Sequence, residues 1–126
     1  MLIGSVSCND WLDVEPENKL VISLDSEAST GACDALKRAF LTVAGVAHAG
    51  ASSDIPGLDF TRNGYIPEGM SEPIMIHVLD VDNDYLTTMN IRMIVGRNFS
   101  AEYGTDATAY IINQTLVKQM GWTDPV

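Results

Sequence analysis

Three aspartates alternate along the chain at Asp80, Asp82 and Asp84, the spacing that opens a calcium-binding helix–loop–helix segment. Such a loop needs glycine at its sixth position and glutamate at its twelfth. Tyr85 and Ile91 stand there instead, so the run reads as a solvated strand end followed by a helix cap. His48 and His77 are the two histidines, and neither has a Cys, His or carboxylate at metal-ligand spacing. His77 lies in an apolar run and reads as a packed or surface-facing strand residue. Ser52 and Ser53 follow Gly50 without the Gly-x-Ser-x-Gly elbow of a nucleophile and read as a turn. Gly96 and Gly104 belong to no phosphate-cradling motif. The carboxylates form no recognisable acid/base pair. No catalytic residue, metal ligand or cofactor is therefore expected. Asn98-Phe-Ser100 and Asn113-Gln-Thr115 fit the glycosylation sequon, although a helix cap explains Asn113 better. Cys8 falls in a tail and Cys33 in a helix, so two unlinked thiols are expected rather than a disulfide.

The elements that would hold these residues follow from periodicity. Cys8 to Lys19 is acidic, is interrupted by Pro16 and reads as tail or linker. Leu20–Leu24 is short, apolar and β-branched, which favours a strand. Residues 25–31 read as a loop. Ala32, Leu36, Phe40 and Val43 recur at helical spacing, with Lys37 and Arg38 opposite them, so a helix is expected over 32–43 with Gly45 as its stop. Residues 46–52 read as a strand of small residues, and 53–57 as a turn at Pro56-Gly57. Residues 58–73 are either a loop or a loosely paired hairpin. Residues 74–81 form the best strand, apolar on both faces and so expected to be central in its sheet. A helical turn capped by Asp84 covers 82–89, a strand covers 91–95, and a polar loop covers 99–106. A strand over 109–112 leads to a helix over 114–120, capped by Asn113 and stopped by Gly121, with Trp122 packing back. The fold class is α+β: a mixed sheet with two or three helices packed on it.

The chain has 126 residues, enough for one domain. A compact domain of 13.6 kDa buries roughly two-thirds of its surface, so no disulfide or metal staple is required. Seventeen acidic against seven basic residues leave a net charge of −10, which argues against nucleic-acid and anionic-lipid partners. The longest apolar runs fall far short of a transmembrane helix. Met1 to Cys8 lacks the basic n-region and apolar length of a complete signal peptide. It can instead be the tail of a lipoprotein signal, with Cys8 as the candidate lipidated residue, although Ser5 stands where such a signal has leucine.

The second half of the chain carries several motifs in a fixed order: Val81, Asp82, Asp84 and Tyr85; Gly96, Arg97, Phe99 and Ser100; Asp106; Ile111, Ile112 and Asn113; Gly121, Trp122, Asp124 and Pro125. This resembles the MacB-like periplasmic core domain of FtsX-type ABC-transporter permeases. Residues 43–57, with Gly45-Val46 and Pro56-Gly57, resemble that family's helix–strand–turn passage, so the likeness runs over about 19–126. Gln114 departs from the family's glutamate, and the Gly-Lys that follows the last proline in the family is missing after Pro125. The flanking transmembrane helices of such permeases are missing too. Residues 7–18, Ser-Cys-Asn-Asp-Trp-Leu-Asp-Val-Glu-Pro-Glu-Asn, resemble the mature start of SusD-like outer-membrane lipoproteins and imply an exported, Bacteroidetes-type protein. The chain thus divides into a leader-like tail, 1–18, and a partial periplasmic core domain, 19–126.

The permease resemblance implies no enzyme and no cofactor. It implies an extracytoplasmic domain on the periplasmic side of the inner membrane, which passes on ATP-driven motion and touches substrate or partner proteins. Its partners would be other permease subunits, periplasmic or outer-membrane proteins and, indirectly, the ATPase. Membrane attachment would run through segments beyond this chain. The motif residues Asp82, Tyr85, Gly96, Arg97, Phe99, Asn113, Gly121, Trp122 and Pro125 would have structural roles. The alternative is an outer-membrane surface lipoprotein that binds a glycan or nutrient, resting on Cys8 and Trp11. A small hydrolase built on His77 or Asp54 has little to support it.

Overall fold

The computed structural model describes residues 19–24, 31–55, 57–58 and 61–124. The expectations for the tail 1–18, for Cys8 and Trp11, for most of the loop 25–31, and for Pro125 fall outside these residues. The fold class is α+β. Helix α1 spans Cys33–Leu41. Strands β1 (Thr61–Tyr65) and β2 (Ile74–Val78) follow as an antiparallel hairpin. Helix α2 spans Tyr85–Thr88, a 3₁₀ helix spans Gly104–Thr108, and helix α3 spans Gln114–Met120. No helix among the described residues is long and apolar enough to cross a membrane.

The helices form where local signals agree. Helix α1 begins after Ala32 and ends at Leu41, with Asp34 in its first turn and Arg38 in its last, the signs that suit the helix dipole. It stops short of Gly45: the Thr42 and Val43 N–H groups donate to the Ala39 and Phe40 carbonyls three residues back, so the last turn tightens out of the α pattern. Helix α3 starts as the sequence predicts: Asn113 is extended, at φ −87° and ψ 161°, and its Oδ1 accepts the Leu116 N–H at 2.8 Å. It ends at Gly121 with φ +69°, a left-handed conformation that glycine adopts without a Cβ penalty. The Gly121 N–H then donates to the Lys118 carbonyl and the Trp122 N–H to the Val117 carbonyl, the paired bonds of a Schellman stop.

The sheet is narrower than expected. Among the described residues it has two strands, with Thr61 opposite Val78 and Tyr65 opposite Ile74. Residues 58–73 are thus resolved in favour of the hairpin, and β2 is not central. Residues 20–24, 46–52, 91–95 and 109–112 were expected as strands and are not. All but 46–52 carry strand-like side chains, but a strand exists through its ladder, and pattern alone supplies no partner. Ile94 is 71% exposed and Leu20 85%, so burial does not hold these segments flat either. Residues 46–52 keep a single antiparallel bridge, Ser52 to Val81. The Ser53 N–H donates to the Asp80 carbonyl at 2.8 Å and the Asp82 N–H to the Ala51 carbonyl at 3.1 Å.

The core sits where β2 runs into α2. Leu79, Tyr85 and Leu86 are buried, and Val81, Met89, Ile91, Met93 and Ile111 pack against them half-covered. These three are the buried residues among those described, which is less burial than a compact domain of this mass allows. Gly50 lies directly on α2: a Cβ there would stand 2.7 Å from the Tyr85 Cα.

Candidate functional site

A groove of about 620 Å³ opens beside this core. Residues 78–91 give its floor, through Leu79, Tyr85 and Leu86, and residues 99–111 give its opposite wall, through Phe99, Tyr103 and Tyr110. Its volume lies in the range of small-ligand clefts. Burial pushes the Tyr85 phenol above its ordinary pKa, so the hydroxyl stays neutral on that floor. At the hairpin end, Tyr110 meets Tyr65 edge to face with ring centroids 5.6 Å apart.

Two ion-pair clusters lie on the elements around the groove, and Asp106 of the first lines it. Gly96, at φ +77°, turns the chain ahead of Arg97. The Arg97 guanidinium donates in a fork to Asp106, Nη1 to Oδ2 at 2.7 Å and Nη2 to Oδ1 at 2.8 Å. The Ser100 N–H donates to the same carboxylate at 2.8 Å. The Arg97 hydrogen bonds and then the Ser100 N–H hold the Asp106 pKa at about 2, below its ordinary 3.8. The guanidinium also lies 4.0 Å from the centre of the Tyr103 ring, within cation–π range. Bidentate geometry of this kind fixes orientation as well as energy. It ties the start and the end of the 97–106 loop together and presents Phe99 to the groove.

The second cluster lies on the other side of α2. The Lys37 ammonium of α1 donates to Asp82 Oδ2 at 2.5 Å and to Asp84 Oδ2 at 2.8 Å, with Asp34 3.6 Å away. Partial burial of Lys37 acts to lower its pKa. The bonds and charges of Asp82 and Asp84 outweigh that and raise it above the ordinary lysine value. Asp82 Oδ1 accepts the Asp84 N–H at 3.1 Å. Asp84 sits at the N-terminus of α2 as expected, but its side chain makes no cap bond and turns to Lys37 instead.

The structure therefore brings Tyr85, Phe99 and Asp106 to one groove, with Arg97 behind Asp106, and leaves Asn113, Gly121 and Trp122 as the ends of α3. Trp122 is 39% exposed, so it packs back less fully than expected. The other chemical candidates are engaged locally. The Ser52 hydroxyl donates to the Asp54 carbonyl, and the Ser53 hydroxyl to the Asp54 carboxylate. Arg62 Nε donates to His77 Nε2 at 3.1 Å across the hairpin. His48 is exposed, and Cys33 is a free, half-buried thiol. Among the described residues, no three His, Cys, Asp or Glu side chains converge to hold a metal ion.

Three residues of the site carried no signal for it in the sequence. Lys37 looked like the solvated face of a helix. Gly50 looked like one small residue among several. Asn98 looked like part of a sequon, yet its side-chain N–H donates to the Asn83 carbonyl at 3.0 Å and joins the 97–106 loop to the turn before α2. Comparison with family models, with curated proteins and with solved structures returned no match to this chain.

Proposed function

We propose that this chain is an extracytoplasmic domain of an ABC-type exporter or lipoprotein-release permease, acting without chemistry of its own. It would touch partner proteins or substrate and pass ATP-driven motion between them. The observation that supports this reading is that three of the motif residues, Tyr85, Phe99 and Asp106, line one groove. Tyr85 is buried in the groove's floor, Phe99 lines its wall, Arg97 and Asp106 lock the loop behind it, and Asn113 and Gly121 bound the helix that follows. An acidic surface with a half-apolar groove suits contact with another polypeptide.

The test is a photo-cross-linking residue at Tyr110, which is 66% exposed at the groove's mouth. It is placed in the full-length protein in its native cell envelope, and the products are identified by mass spectrometry. Cross-links to subunits of a transport assembly are expected. Cross-links confined to glycan, or none at all, overturn the proposal. A labelled fatty acid incorporated at Cys8 would favour the alternative, a surface lipoprotein that binds a glycan or nutrient.

A further inference from the structure

Helix α1 is amphipathic, yet none of its residues is buried. Phe40 and Leu41 on its last turn are 37% and 47% exposed. Residues 42–48 behind it are exposed as well. The chain next meets the core at Gly50, against Tyr85 and Thr88. In contrast, the Lys37 side chain is 15% exposed, and it spans 45 and 47 positions of sequence to reach Asp82 and Asp84. Its two acceptors are positioned independently of it. Asp82 Oδ1 holds the Asp84 N–H, and Asp84 opens α2, whose Tyr85 and Leu86 belong to the core. A weakly packed helix is thus fastened by charge to a firmly packed turn.

We propose that α1 is an electrostatic strap. The Lys37 ammonium, clamped between the Asp82 and Asp84 carboxylates, holds α1 and its linker across the turn that opens α2, and loss of that clamp releases them while the hairpin and the core stay folded. The physical basis is the imbalance between the two sides. The hairpin keeps its ladder and the core keeps its buried side chains when the clamp opens, whereas α1 has no buried side chain to hold it. Short helices without tertiary support are marginal in water, so a released α1 also frays. Release bares the Asp82 and Asp84 carboxylates. The strap does not depend on the permease reading and would operate equally in a surface lipoprotein.

Amide hydrogen exchange on the full chain tests this. In Lys37→Met, which keeps side-chain length and removes the charge, amides of 36–41 should exchange about tenfold faster, the effect of losing a charge-assisted bond. Amides of 61–65 and 74–78 should keep their wild-type rates. The wild type supplies a second arm that needs no variant. Raising salt from about 0.01 M to 1 M shortens the screening length from roughly 30 Å to 3 Å, and should speed exchange in α1 ahead of the hairpin. Unchanged α1 exchange in both arms overturns the proposal. So does a rise in hairpin exchange equal to that in α1, which would mean that the clamp holds the whole fold.

Discussion

The close approach of residue 50 to α2 gives the sharpest stability test. A Cβ on Gly50 would lie 2.7 Å from the Tyr85 Cα, 2.9 Å from the Tyr85 N and 3.0 Å from the Thr88 Oγ1. Two of these neighbours are backbone atoms of a residue 7% exposed in the core, so they cannot swing aside as a side-chain tip would. The strain falls on residues 51–53, whose bonds to Asp80 and Asp82 tie this segment to the end of β2. Overpacking of this kind costs about 1–3 kcal/mol. Loss of glycine's freedom in the unfolded chain returns about 0.4–1 kcal/mol. Gly50→Ala should therefore destabilise by about 1.3 kcal/mol net, at the middle of a range of about 0–2.6 kcal/mol. Gly104→Ala is the matched control, because nothing lies within 4 Å of its Cβ position. It keeps the entropic gain alone and should stabilise by about 0.4–1 kcal/mol. Urea melts of the two variants should shift the midpoint in opposite directions at unchanged slope. A Gly50→Ala protein stabilised as much as Gly104→Ala would refute the packing of residue 50 on α2.

Leu86→Ala, at 6% exposure in a three-residue core, should lose about 2–5 kcal/mol in the same melt. Trp122→Ala should lose only about 1–2 kcal/mol, less than a fully buried aromatic, because that ring is 39% exposed. Asn113→Ala should lose about 0.5–2 kcal/mol and Asn113→Ser should recover most of it, since a side-chain oxygen is what caps α3. The Arg97–Asp106 lock sets an acid limb. Asp106 is depressed from 3.8 to about 2 on folding, so its contribution is present above pH 3.8 and is lost as pH falls through about 2. Asp106→Asn should flatten that limb in an acid titration followed by circular dichroism, and a limb of unchanged steepness would place its origin elsewhere.

The parts of the fold readable from sequence are those whose causes are local. Asn113 and Gly121 state both ends of α3, and each does what its chemistry demands, one as acceptor for an orphan N–H and the other as a left-handed stop. The four-residue rhythm of Leu36 and Phe40 marks α1, although the helix ends at Leu41, before Gly45. Strands were read less well because their evidence is shared between distant segments. The alternation of Ile91, Met93 and Val95 reports a preference for extended backbone, but no ladder partner stands beside those residues, and the preference goes unused. The site shows the same division. Arg97 and Asp106 lie nine positions apart and both stand among the motif residues, although nothing in the sequence paired them. The Lys37 clamp spans 45 and 47 positions, and nothing in the local pattern of α1 distinguishes a lysine that binds two aspartates from one that faces water.

The proposed transport role rests on motifs that resemble those of part of a larger subunit. It is tested most directly by sequencing the DNA on both sides of this reading frame. The account predicts in-frame transmembrane helices and a Gly-Lys continuation directly after Val126. A complete lipoprotein signal ending at Cys8, together with a stop codon after Val126, would contradict it.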